Sequence, residues 1–237
     1  MEAYRYQQLA YLIVPIIPGM GFFYVQNMRE KRIDFRLYLI TDRRLFPDHH
    51  SLLIAVEEAL KGGVKAVQLR EKDIGTRELL DMAYDFRSLT DGYNAKLFIN
   101  DRVDIALAVK AEGVHLGNSG MPAYAAKKAS GGNLLIGVST HSLKEAVDAE
   151  KDGADFITLG PVFETPSKKR YGKPLGTDIL RKVRDEISIP ILVIGGISTG
   201  RVEKVLQSGA HGIAVISAVL TSDNIKTITE EFMRLLK

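Results

Sequence analysis

No cysteine occurs in this chain of 237 residues. That excludes disulfides, a thiol nucleophile and any thiolate metal site. Its 5 histidines are scattered and show no HExxH-type spacing, so a metal-binding helix of that kind is absent too. Charge of neither sign dominates: 32 Lys+Arg against 29 Asp+Glu leave +3, too near balance to mark a nucleic-acid binder, and no helix-turn-helix segment appears. There is no internal linker and no low-complexity segment. Long hydrophobic runs are also missing. Leu9 to Val25 is apolar and aromatic, but Pro15, Pro18, Gly19 and Gly21 interrupt it, which argues against a membrane span. Arg5 precedes that stretch as in a signal peptide, yet no small-residue cleavage site follows. The expected division is an N-terminal extension over 1–28 and one domain over 29–237. The extension reads as a short packing arm or as a stretch upstream of a natural start at Met28. The expected setting is cytoplasmic, with small-molecule partners, no nucleic acid and no membrane. A homo-oligomer is left open.

What is present is an alternation of two textures. Short apolar runs predict strands at Leu37–Thr41, Val64–Leu69, Lys96–Ile99, Gly113–Leu116, Leu134–Val138, Asp155–Leu159, Ile191–Ile194 and Gly212–Ile216. Between them lie helical patterns: Ser51 to Leu60, a helix capped by Thr76 and running to about Leu89, Val103 to Val109, one starting at Pro122, Leu143 to Lys151 behind Ser142, Thr177 to Glu186, Val202 to Gln207, and Asn224 to Leu236. The strands read as continuous apolar runs, as they do when both faces of a sheet are covered. Eight βα units in about 200 residues predict an α/β fold, a small (β/α)8 TIM barrel. The runner-up, a doubly wound open sheet, would want a GxGxxG after the first strand, and there is none.

In such a barrel the chemistry sits at the carboxyl ends of the strands. The residues there are polar in this chain: Thr41, Asp42 and Arg43; Gln68, Arg70 and Lys72; Asn100 and Asp101; His115, Asn118 and Ser119; Ser139 and His141; Thr165, Ser167 and Lys168. Period-2 alternation puts Gln68, Arg70 and Lys72 on one side, donors that suit an anion with several oxygens or a solvated strand edge equally. Gly195-Gly196 and Ile216-Ser217 are small-residue turns into helices, where backbone N–H groups bind phosphate. Asp101 beside cations suits Mg²⁺, or serves only as a helix N-terminal carboxylate. His141 is either an acid/base or a loop hydrogen-bonder.

Taken together, Gln68-Leu69-Arg70-Glu71-Lys72, Phe98-Ile99-Asn100-Asp101-Arg102, Gly113-Val114-His115-Leu116-Gly117, Gly137-Val138-Ser139-Thr140-His141, Thr165-Pro166-Ser167-Lys168, Ile194-Gly195-Gly196-Ile197 and Ile216-Ser217 resemble the thiamine-phosphate synthases and their sister thiazole tautomerases. The resemblance runs from Arg36 to the C-terminus. It implies a transferase that joins hydroxymethylpyrimidine diphosphate to thiazole phosphate with Mg²⁺ as cofactor. On that resemblance Gln68, Arg70, Lys72, Asn100, Ser139 and Lys168 hold the pyrimidine diphosphate, with Lys72, Ser139, Lys168 and His141 as the candidate catalytic group. Thr165 and Ser167, with Gly196, Ile216 and Ser217, hold the thiazole phosphate, and Asp101 holds the metal. One departure stands out. The synthases usually carry a second metal-binding aspartate where this chain has Gly120. A tautomerase using His141, and a non-catalytic thiamine-precursor-binding protein, are the alternatives.

Overall fold

The computed structural model of the protein describes residues 33–117, 120–165 and 174–237. Eight parallel strands close into a barrel in sequence order. They are β1 (Leu37–Ile40), β2 (Ala66–Leu69), β3 (Lys96–Asn100), β4 (Gly113–Leu116), β5 (Leu135–Thr140), β6 (Phe156–Leu159), β7 (Ile191–Ile194) and β8 (Gly212–Val215). Tyr38 pairs with Ala66 on one side and with Ala214 on the other, which closes the ring. The helices are α1 (His49–Lys61), α2 (Thr76–Gly92), α3 (Val103–Ala108), α4 (Ala123–Ala129), α5 (Leu143–Lys151), α6 (Asp178–Glu186), α7 (Thr199–Gln207), α8 (Ser217–Leu220) and α9 (Ile225–Leu235). None of the described helices is long and apolar enough to cross a membrane.

Strand periodicity sorts the core into two. Leu37, Leu39, Val67, Leu69, Leu97 and Ile99 face outward and pack under the helices. Tyr38, Phe98 and Phe156 face inward, and with Phe35 they fill the barrel's lower interior. Their ring centroids lie 5.3 to 5.7 Å apart, mostly edge to face. Tyr38, Phe98 and Phe156 come from β1, β3 and β6, which are not all neighbours, so these contacts run across the barrel axis. Each aromatic pair adds about 0.5–1.5 kcal/mol beyond the area it buries. The barrel is therefore plugged, and any ligand must bind above this floor.

Several boundaries differ from those the sequence predicts. Helix α1 begins at His49 because Asp48 caps it, accepting from the Ser51 amide at 2.7 Å. Gly75, not Thr76, precedes α2, and the Thr76 hydroxyl instead accepts from Arg102 at 3.1 Å. Strand β5 runs on to Thr140, whose hydroxyl donates to the Thr158 carbonyl at 3.0 Å. Helix α7 starts at Thr199, three residues earlier than its apolar periodicity, since its first turn is exposed or only half-buried. Helix α8, a single turn, has no periodicity to read.

The amino-terminal end of the barrel repeats one device. A carboxylate from a neighbouring segment accepts a backbone N–H at the start of a strand. Glu112 takes Leu97 N–H at 2.7 Å, and Asp155 takes Ile136 N–H at 2.7 Å. In the loop that leads into β7, Glu150 likewise takes Ser188 and Ile189 N–H at 2.7 and 3.1 Å. Arg87 pairs with Glu112 at 2.7 Å with both side chains buried, and Lys127 pairs with Asp155 at 3.3 Å. These charges are tied into the frame.

Candidate active site

The opposite end carries charges arranged around an opening. Strand β2 stops at Leu69, and the chain turns out through Arg70, Glu71 and Lys72. Glu71 turns inward: its side chain is 3% exposed. It accepts from the Thr41 hydroxyl at 2.8 Å and the Arg43 amide at 3.2 Å, with the Arg43 guanidinium at 3.7 Å. Burial pushes the Glu71 carboxyl up, and the bonds from Thr41 and Arg43 oppose that rise. The Thr41 hydroxyl also accepts the Arg70 amide at 3.0 Å. One carboxylate thus pins the β1 and β2 exits together and fixes the backbone from which Arg70 and Lys72 project.

Lys72 reaches across to Asp101, with Nζ 3.5 Å from Oδ2. Asn100, the last residue of β3, donates to the same oxygen at 2.8 Å. The Gly117 amide donates to Oδ1 at 2.6 Å. Asp101 has φ of +59°, a left-handed conformation that aspartate tolerates better than most residues. The three contacts hold its carboxylate toward the mouth. A carboxylate beside cations is the donor chemistry Mg²⁺ takes when it binds through one or two carboxylates plus phosphate oxygens. Asp101 fits that role.

Below the rim lies a polar layer. Gln68 is 1% exposed and donates to the Tyr38 hydroxyl at 3.1 Å. It sits level with Phe98, deeper than Arg70 and Lys72. His115 is buried, with Nε2 3.0 Å from Ser139 Oγ and 3.3 Å from Thr158 Oγ1. Its pKa is pushed down to about 3, chiefly by burial, so the ring is neutral. Gly137 makes room for it: a Cβ there would lie 2.6 Å from the imidazole and 2.4 Å from Phe156. His115, Thr158 and Tyr38 have no assigned role in the sequence reading. The signal was a histidine inside the apolar run Gly113–Leu116. It could not be used, because a strand buried on both faces does not reveal which face looks inward.

On the far side, Val162 and Phe163 amides donate to Ile194 and Gly195 carbonyls at 3.0 and 3.1 Å. The loop after β6 therefore starts alongside the end of β7. Gly196 has φ of +64°, and a Cβ on it would meet the Glu164 carbonyl at 2.4 Å, so only glycine fits this turn. Ile216 and the exposed Ser217 open the single turn of α8 beside it.

The sequence-predicted residues therefore divide. Lys72 and Asn100 both contact Asp101, with Arg70 on the same rim. Ser139 and Gln68 belong to the layer beneath. Gly196, Ile216 and Ser217 form the small-residue side. His141 stands apart: its Nδ1 bonds the Gly160 carbonyl, and its amide donates to Glu145 at 2.7 Å. Thr165 is half-buried at the near end of the β6 loop. Asn118, Ser119, Ser167, Lys168 and the expected extension over 1–28 lie outside the described residues.

Fold and rim together define a (β/α)8 barrel with a cluster of charged and polar side chains at the carboxyl ends of its strands. Comparison with known proteins narrows this. The family model for thiamine monophosphate synthase matches residues 37–219. The thiamine-phosphate synthase of Clostridium novyi (strain NT) is 47% identical over 194 residues, 82% of this chain and 95% of its own. That of Pyrococcus furiosus is 44% identical over 211 residues, 89% of this chain and 98% of its own. A solved structure of the thiamine phosphate pyrophosphorylase from Pyrococcus furiosus matches with a TM-score of 0.77, covering 89% of this chain and 98% of that one. A 3-hexulose-6-phosphate synthase, at 16% identity and a TM-score of 0.65, shares the fold alone. The chain belongs to the thiamine monophosphate synthase family.

Proposed function

We propose that the protein is a thiamine-phosphate synthase, joining hydroxymethylpyrimidine diphosphate to thiazole phosphate and releasing diphosphate. The observation that carries this is the contact of Lys72, Asn100 and Asp101 beside Arg70 at one rim. A reaction on a monophosphate alone has no use for such a group. Arg70, Lys72, Asn100 and Lys168 bind the diphosphate, and cations there stabilise it as it leaves. Gln68 and Ser139 face the pyrimidine. Gly196, Ile216 and Ser217, with Thr165 and Ser167, take the thiazole phosphate through backbone N–H groups and hydroxyls. Asp101 and the diphosphate hold Mg²⁺. When bound, the ion adds positive charge where the leaving group gains negative charge.

No protein nucleophile is required. The electron-rich aminopyrimidine supports positive charge at its methylene carbon, and the thiazole nitrogen attacks there. The interior suits this course. His115 is held neutral, so no fixed cation in the polar layer opposes the developing positive charge. The cations are confined to the rim, where the leaving group departs. The aromatic floor keeps water from below, and holding the two substrates in register supplies much of the rest.

The test is a pair of assays on the purified chain. Pyrimidine diphosphate, thiazole phosphate and Mg²⁺ should yield thiamine phosphate. The thiazole carboxylate phosphate tautomer alone should not be aromatised above background. Product only in the second assay would make the protein a tautomerase working through His141, and product in neither would make it a binding protein.

A further inference from the structure

Both carboxylate oxygens of Asp101 already have donors. Gly117 N–H occupies Oδ1, Asn100 occupies Oδ2, and the Lys72 ammonium stands 3.5 Å from Oδ2. Among the described residues no group of three or more His, Asp or Glu could hold a metal ion. The turn opposite is closed as well. A Cβ built on Gly120 would lie 2.8 Å from Asp101 Oδ1 and 3.1 Å from the Gly117 carbonyl, so a side chain at this position would first displace the Asp101 carboxylate. One carboxylate with an ammonium beside it is a weak site for a free divalent cation, which sheds water reluctantly and gains most of its ligands from substrate phosphates.

We propose that Lys72 is the resident counter-ion of Asp101 in the unliganded protein, and that the divalent cation enters only together with the substrate's diphosphate, Lys72 passing from Asp101 to the diphosphate as they load. This rests on the reading of the site as a diphosphate site. Lysine suits the exchange. Its side chain here is 51% exposed, and its ammonium is a point charge on a flexible stem with no fixed fork geometry to satisfy. The pair itself is half exposed and so cheap to break. The arriving diphosphate carries more negative charge than one carboxylate, and it offers Lys72 the stronger partner. The exchange gives loading an order: diphosphate and metal arrive as a unit, and metal alone is refused.

Manganese tests this on the full chain, with water-proton relaxation enhancement reporting only ion bound to the slowly tumbling protein. Wild type alone should bind Mn²⁺ no more tightly than the millimolar range, and added inorganic diphosphate should bring strong enhancement. Lys72→Met should bind Mn²⁺ without diphosphate at least about tenfold more tightly than wild type, because a cation about 4 Å from the metal is gone. Lys72→Arg, which keeps the charge, should stay as weak as wild type, and Asp101→Asn should abolish enhancement in the Met variant. Circular dichroism checks that each variant is folded. Micromolar Mn²⁺ binding by free wild type, or no gain in Lys72→Met, would overturn the proposal. Thiamine-phosphate formation is scored separately. If the metal results hold without product, the counter-ion role stands and the synthase reading falls; product together with tight metal binding by free wild type overturns the counter-ion role alone.

Discussion

The two ends of this barrel use the same side chains to opposite purpose. At the amino-terminal end, Glu112 and Asp155 accept N–H groups at the starts of strands, Glu150 accepts them in the loop before β7, and Arg87 and Lys127 neutralise the first two. At the carboxyl end, Arg70, Lys72 and Asp101 stand around the strand ends, while Glu71 is spent on the frame. Charge that satisfies backbone groups stabilises the fold. Asp101 also accepts a backbone N–H, from Gly117, but its cation Lys72 is half exposed where Arg87 is buried, so a ligand can reach the pair. The difference teaches that location and partners, rather than residue type, mark function in a barrel.

That contrast can be broken by substitution at each end. The largest effect is expected at the frame. Glu112→Ala leaves the buried Leu97 amide without its acceptor and takes one of its two carboxylates from Arg87, which keeps Asp91, and should cost about 3–5 kcal/mol in urea unfolding. The fraction that remains folded should turn over normally. At the mouth, Lys72→Ala should lower thiamine-phosphate formation about 10²–10³-fold, the scale of losing one charge-stabilising donor, while the urea midpoint stays within error. Loss of stability there, or loss of turnover in folded Glu112→Ala, would erase the distinction.

Smaller effects sharpen it. Gly196→Ala forces a Cβ against the Glu164 carbonyl from a left-handed backbone. It should raise the KM for thiazole phosphate about tenfold and leave that for the pyrimidine diphosphate nearly unchanged, as steady-state kinetics with each substrate varied would reveal. His115 lies between the ends, and pH reads it out. Its folded pKa of about 3 is below the unfolded value, so the unfolded chain binds the extra proton between those limits. Stability from this residue is complete above the unfolded pKa and falls as pH drops toward 3. At pH 5.5 the protein should be about 1 kcal/mol less stable than at pH 7.5 on this account, and His115→Gln should flatten that slope.

Much of this was legible in the sequence, for reasons that can be named. All eight strands show because both their faces are covered, leaving unbroken apolar runs. The rim shows because Arg70, Lys72 and Asp101 are abrupt charges at the ends of such runs. Gly196 shows because the turn admits nothing else. The buried polar layer did not show as a layer. The contacts of Tyr38 with Gln68 and of His115 with Ser139 and Thr158 join strands far apart in the chain. The amino-terminal frame was hidden for the same cause: Arg87 and Glu112 are 25 residues apart, and each alone reads as a solvated surface charge. The missed helix starts, at His49 and Thr199, lie on exposed or half-buried first turns where apolar periodicity is silent.

The claim that the mouth is a diphosphate site is tested most directly by equilibrium titration of wild type with inorganic diphosphate and with orthophosphate, both with Mg²⁺. Diphosphate should bind at least about tenfold more tightly, since Arg70, Lys72 and Asp101-bound metal engage both of its phosphates. That preference should narrow in Lys72→Ala. Equal affinity for the two anions in the wild type would contradict it.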